Sequence, residues 1–121
     1  MKQVVVRWDE QAYREFLLLK ERASTGQKSK RQPEYSQLLS SIEQAIANLK
    51  LNPFFGDLIP RKYLTKRIVR KYGTDELFRI ELVGYWRMIY TVLGEETCVI
   101  ALILEFMSHH DYDKLFEYKK K

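Results

Sequence analysis

Proton-transfer groups gather toward the end of the chain, where Glu105, His109, His110 and Tyr112 fall within eight residues. Carboxylate, imidazole and phenol are the side chains that give and take protons in acid–base chemistry, and histidine titrates nearest neutrality. Upstream, Arg87 stands inside an apolar and aromatic run, Tyr85-Trp86-Arg87-Met88-Ile89-Tyr90. A guanidinium carried on a strand presents a planar fork that matches phosphate oxygens. Between Arg61 and Lys71 there are six basic residues (Arg61, Lys62, Lys66, Arg67, Arg70 and Lys71) and no acid. Fixed cations beside proton donors and acceptors suit binding of a polyanion, or chemistry on one. Each group also has a plainer reading. The histidines can be solvated residues of a helix's first turn, Tyr112 can be core packing four residues from Phe116, and an arginine facing a glutamate across strands can simply tune pairing and solubility.

The bulk properties bound these readings. The chain has 121 residues, which fits one domain spanning 1–121, and 45% of them are hydrophobic, enough for a core. The formal net charge is +5, which favours a nucleic acid or an acidic protein as partner. Further cations sit at Lys28, Lys30 and Arg31 and at Lys119 to Lys121. No apolar run reaches the roughly 20 residues that a membrane helix needs, and the start, Met1 to Trp8, lacks the apolar stretch of a secretion signal. A lone cysteine, Cys98, can form no internal disulfide and reads as a small hydrophobe facing the core. A cytoplasmic protein away from membranes is expected. Adjacent histidines lack the spacing of a zinc motif, so neither metal nor cofactor is expected.

The elements that must position these groups follow from pattern. Val4 to Trp8 reads as a first strand. Asp9 offers an N-cap for a helix to about Ala23, with Ala12, Phe16, Leu19 and Ala23 on its buried stripe. A polar, basic connector, Ser24 to Gln32, leads to a second helix opened by Pro33 and ended by Asn52-Pro53, with Leu38, Leu39, Ile42, Ala45, Ile46 and Leu49 on its apolar face. Phe54 to Tyr72 reads as irregular chain with a short helical turn. Leu77–Leu82, Trp86–Val92 and Thr97–Glu105 form a meander separated by glycine-bearing turns. Ser108, with Asp111 three residues on, starts a last short helix. The expected class is α+β: two N-terminal helices on one face of a mostly antiparallel four-stranded sheet, with a short C-terminal helix.

Register follows from keeping one face apolar. A three-residue loop opposes Leu82 to Trp86, Ile80 to Met88 and Phe78 to Tyr90. Arg79, Glu81 and Arg87 then share the other face, with Glu81 opposite Arg87. Pairing Leu93 with Thr97 in the next hairpin places Ile100, Leu102 and Leu104 on the core face. Val99, Ala101, Ile103 and Glu105 then join Arg87 on a partly polar, uncovered side.

This order of elements, the segment Asn52-Pro53-Phe54-Phe55-Gly56-Asp57, the hairpin Gly84-Tyr85-Trp86-Arg87-Met88-Ile89-Tyr90 and the ending Ser108-His109-His110-Asp111-Tyr112 resemble the RelE/ParE toxin superfamily, RelE-like branch. The likeness covers most of the chain, and the hairpin is its specific part. It implies the toxin of a type II toxin–antitoxin system that cleaves messenger RNA on the ribosome without a metal and inhibits translation. It also implies an antitoxin partner, expected to be acidic and encoded nearby. Arg87 falls on the family's phosphate-contacting arginine, Tyr112 near its catalytic tyrosine, and Lys62 and Lys66 on its central lysines. His110 stands where the family usually has lysine or arginine. The expected catalytic set is Arg87, Tyr112, His109, His110 and Glu105, and the expected RNA-binding set is Lys62, Lys66, Arg67, Arg70 and Arg79. Two other readings stay open: a ParE-type gyrase inhibitor, and a RelE-like binding module without catalysis.

Overall fold

The computed structural model describes residues 2–25 and 35–116. The basic connector with Lys28, Lys30, Arg31 and Pro33, and the final lysines, lie outside those residues. The elements run β1 (Gln3–Trp8), α1 (Glu10–Ser24), α2 (Tyr35–Leu51), β2 (Asp57–Leu58), α3 (Lys66–Tyr72), β3 (Phe78–Glu81), β4 (Arg87–Gly94), β5 (Cys98–Met107) and α4 (His109–Phe116), with 3-10 turns at Arg61–Tyr63 and Val83–Tyr85. The class is α+β, as expected. The sheet, however, has five described strands in the order β1-β5-β4-β3-β2, and β1 runs parallel to β5. Among the described residues no helix is long and apolar enough to cross a membrane.

Local chemistry sets the helix ends. Asp9 caps α1 by accepting the backbone N–H of Gln11 at 3.1 Å, and Ala12, Phe16 and Leu19 are buried on its inner stripe while Ala23 is half-buried. After α2, the Asn52 side chain accepts the N–H of Phe54 at 3.0 Å and turns the chain out of the helix. The segment read as irregular is more ordered than expected. It holds the edge strand β2, which pairs with β3, and a seven-residue helix, α3. Thr65 caps α3 at Ile68 N, and Gly73, at φ 72°, closes it in the left-handed conformation. Two turns are too short to show a helical period, but the Thr65 and Gly73 brackets were present in the sequence.

The first hairpin has the expected register, with Phe78 opposite Tyr90, Ile80 opposite Met88 and Glu81 opposite Arg87. The second does not. Leu93 pairs with Ile100, not with Thr97, and a bulge follows between Ile89 and Tyr90. The offset is an odd number of residues, so the faces swap. Ala101 and Ile103 join the core beneath α1 and α2, while Ile100 and Leu102 turn to the other side. The bulge then takes up Leu104, which packs on that other side, and restores Glu105 to the Arg87 face as expected. Cys98 is half-buried at the start of β5 and does not lie in the core.

Both faces of the sheet are covered, which corrects the expectation of an uncovered side. Phe16, Leu19, Leu38, Ile42 and Leu49 from α1 and α2 pack on Ile80, Leu82, Met88, Tyr90 and Ile103. On the opposite face Ile68 of α3 and Tyr112 and Phe116 of α4 pack with Ile59, Leu77, Ile89 and Met107. The residues that face this side along the strands are therefore not a solvated polar row. Ile89, wholly buried, sits in the middle of it.

Gly56 is where the edge of the sheet closes against this structure. Its N–H donates to the Tyr90 hydroxyl at 2.9 Å. A Cβ at this position would lie 2.6 Å from the Arg79 carbonyl oxygen and 2.9 Å from a Tyr90 ring carbon. The first neighbour is backbone and cannot swing away. Gly56→Ala is expected to destabilise the fold by about 1–3 kcal/mol through overpacking. Gly94→Ala, where nothing lies within 4 Å of the new carbon, should change stability by less than about 0.5 kcal/mol. Denaturant melts of the two variants check the contrast.

Candidate nucleic-acid interface

Strand register brings the site together. Across the sheet, Glu81, Arg87 and Met107 form one row, and Arg79, Ile89 and Glu105 form the next. α4 begins directly after Met107. Ser108 starts it by accepting the N–H of Asp111 at 3.2 Å, and the first turn carries Tyr112 beneath the sheet. There the Tyr112 ring lies under both arginines, 5.7 Å from the Arg79 Cζ and 5.4 Å from the Arg87 Cζ. Arg79 Nη1 donates to the Tyr112 hydroxyl at 2.9 Å. Guanidinium groups stack favourably on aromatic faces, and one buried ring therefore aligns two cations at one end of the sheet.

Tyr112 is 0% exposed and packs on Phe116 at 4.7 Å between ring centroids. Of its two sequence readings, this geometry is that of core packing. No face of the ring is open for a base to stack on, and its hydroxyl holds Arg79. Tyr112 positions the arginines.

Arg87 is lodged but not sealed. Its side chain is 12% exposed, and its Nη2 lies 3.5 Å from Glu81 Oε1, on a side chain that is 69% exposed. An ion pair with so exposed a partner contributes about 0–1 kcal/mol, so an anion with better geometry can displace the carboxylate. Nη1 donates to the Tyr85 carbonyl at 2.9 Å, which fixes the plane of the fork. Buried Nε has no hydrogen-bond partner among the described residues.

Glu105 is engaged elsewhere. It accepts a hydrogen bond of 2.6 Å from the Tyr72 hydroxyl, tying β5 to α3. His109 and His110 are exposed at the start of α4. His109 Nε2 lies 3.2 Å from Asp113 Oδ2, one turn along, an arrangement that orients the ring. Its ring also approaches that of Tyr85, with centroids 6.2 Å apart.

The basic cluster does not form one strip. Residues four apart share a helix face, so Lys66 and Arg70 line one shallow cleft with Arg61 and Asp75. Arg67 and Lys71 line another, of about 400 Å³, between α3, α4 and the end of β5. This second cleft includes Met107, the cross-strand partner of Arg87, and Lys114 from α4, together with the carboxylates of Glu15, Glu105 and Asp111. Lys62 is exposed in the 3-10 turn, its Nζ 5.1 Å from the Tyr63 ring centroid. Arg67 is thus the member of the expected RNA-binding set that joins the Arg87 end by way of α3, and Arg79 joins it from β3. Lys71, Lys114 and Tyr85 were absent from the expected set. Lys71 was visible in the basic cluster, and the Gly84-Tyr85 pair marked a turn, but only the fold sets Tyr85 against Arg87 and Lys71 and Lys114 in a cleft with Met107. Among the described residues no three His, Cys, Asp or Glu side chains cluster as metal ligands would.

Burial, aided by the bond to Glu105, raises the Tyr72 pKa well above its ordinary value of 10.0, and burial raises that of Tyr90. A folded chain that keeps a phenol proton which the unfolded chain has lost becomes less favoured as pH rises. The stability contributed by these groups is thus fully present below the ordinary tyrosine value and declines above it. Urea melts from roughly pH 9 to pH 11 should show that decline. In Tyr72→Phe, which has no proton to release, the slope should be shallower, and an unchanged slope would contradict the assignment.

No family model matches the sequence, and no curated protein matches it. Solved structures do match in three dimensions. A YoeB/ParE toxin from Agrobacterium tumefaciens has a TM-score of 0.54 at 15% identity, over 90% of this chain and 99% of that one. A mutant of the E. coli toxin RelE in the free state has a TM-score of 0.54 at 12% identity, over 97% of this chain and 93% of that one. Identities this low carry the architecture and not the activity. The chain has the fold of the RelE/ParE toxins.

Proposed function

We propose that the chain is the toxin of a type II toxin–antitoxin pair and an endoribonuclease that cuts messenger RNA, acting at the ribosome in the cytoplasm and so halting translation. The observation that carries this reading is the pair of guanidiniums, Arg79 and Arg87, aligned over one tyrosine at the end of a rigid sheet. Cleavage through the 2′-hydroxyl builds negative charge on a five-coordinate phosphorus, and a preoriented fork stabilises that charge more than it does the ground state. Arg87 takes this role, displacing Glu81, and Arg79 holds the adjoining phosphate. Of the proton-transfer groups expected, the exposed imidazoles remain accessible. His109, oriented by Asp113, would take the 2′-hydroxyl proton or give one to the leaving 5′-oxygen. Glu105 and Tyr112 act through structure, as partners of Tyr72 and Arg79. Arg67, Lys71 and Lys114 grip the flanking backbone. The reaction so described runs on side chains alone, and activity should persist in a chelator. An acidic antitoxin, encoded nearby, would silence the protein by covering the same cations.

A second reading is favoured by the same burial. With Tyr112 enclosed and Glu105 engaged, the proton-transfer set is thin, as a RelE-like binding module or a gyrase-directed toxin of the ParE type would tolerate. Expression without the neighbouring gene, followed by mapping of transcript ends, separates these readings. Cleavage predicts new RNA ends that accompany growth arrest. Arg87→Ala should lower their yield about 10²-fold or more, and Arg87→Lys should restore little, because an ammonium lacks the fork. Arrest with no new ends would reject the nuclease reading, and arrest with DNA-damage signalling would select the gyrase one.

A further inference from the structure

We infer that Tyr85 and His109 form the two walls of a clamp for one unpaired base of single-stranded RNA, next to the phosphate held at Arg87. This rests on the RNA reading above and adds a recognition element to it. The first observation is the backbone of the β3–β4 turn. Gly84 and Tyr85 are consecutive left-handed residues, at φ 68° and φ 62°, and Tyr85 is the only described non-glycine residue with positive φ. That conformation suits glycine and is unfavourable for a bulky side chain. The turn needs a carbonyl here, since Arg87 Nη1 donates to it, but glycine would supply the same carbonyl without strain. What tyrosine adds is a ring, and the ring supports no core, being 75% exposed. Strain retained under an exposed side chain points to a use for that side chain.

The second observation is what stands opposite. Arg87 faces Met107 at the end of the paired strands, and just beyond it the turn that carries Tyr85 and the first turn of α4 bring Tyr85 and His109 together. The two rings have centroids 6.2 Å apart and planes inclined by 56°, so they make an open wedge and not a stacked pair. A planar group between two parallel rings needs about 7 Å, twice the van der Waals spacing. A small swing of the exposed tyrosine would provide it. Flat, exposed rings beside a phosphate-binding cation are how proteins hold unpaired bases, which stack on aromatic faces whatever their identity. His109 would then both bound the base and face the ribose next to it.

The test is binding of a short, labelled, fully 2′-O-methylated RNA, which cannot be cleaved, and of a second oligonucleotide of equal charge carrying abasic positions. Tyr85→Gly should weaken binding to the base-bearing strand roughly 10-fold, should weaken binding to the abasic strand little, and should leave the thermal midpoint unchanged or raised. Tyr85→Phe restores the ring and should recover most of the lost affinity. The clamp is overturned if Tyr85→Gly binds the base-bearing strand as tightly as wild type does, or if it loses equally on both strands. Wild-type protein that binds both strands alike also overturns the clamp while leaving RNA binding intact. Wild-type protein that binds neither at low salt removes the RNA reading itself.

Discussion

Two guanidiniums resting on one buried phenol ring are the constraint around which this end of the molecule is arranged. Arg79 and Arg87 carry like charge, and only their surroundings allow them to stand so near each other. The Tyr112 face attracts both, by about 0.5–2 kcal/mol each for contacts of this kind. Its hydroxyl takes one N–H of Arg79, the Tyr85 carbonyl takes one of Arg87, and the exposed Glu81 lies near enough to offset charge without sealing it off. Removing the ring would leave two half-buried cations with no floor beneath them. The rest of the second core, from Ile68 and Ile89 to Met107 and Phe116, holds that ring at its depth.

This arrangement explains why the molecule covers both faces of its sheet. A single layer of helices on one side would bury the aliphatic face of the strands and leave the arginines in water, free to sample many rotamers. Packing α3 and α4 on the second face turns those side chains into fixed features, which is what stabilisation of a developing charge requires. The same packing limits the chemistry. A tyrosine that holds arginines in place is not available to substrate, and a glutamate bound to Tyr72 at 2.6 Å ties an element together. The exposed imidazoles of His109 and His110 sit instead at the rim, in the first turn of α4.

The cationic helix follows the same logic of division. Seven residues anchored by Ile68 direct Lys66 and Arg70 one way and Arg67 and Lys71 another. Positive charge is thus delivered to two clefts, one of which runs to the Arg87 end with acidic residues on its walls. On the RNA reading, such mixed lining would favour a shaped polyanion over any polyanion, because a misplaced phosphate would meet a carboxylate.

Much of this was legible in the residues themselves. Asp9, Asn52-Pro53 and Ser108 marked helix boundaries because capping and proline chemistry are local. The register of the first hairpin followed from the demand that Phe78, Ile80, Leu82, Met88 and Tyr90 share a face, and with it came Glu81 opposite Arg87. The second hairpin was not readable. In β5 every residue from Val99 to Leu104 is apolar, so no alternation distinguishes the faces, and a bulge shifts the count partway along. Nor could sequence reveal that Tyr112 lies under the arginines, that Glu105 belongs to Tyr72, or that α3 splits the basic run. Sequence determined which elements form and which cations and rings the chain has. Tertiary structure decided which of them meet and which are enclosed, because burial and contact depend on distant elements packing over the same strand row, and no local spacing encodes that.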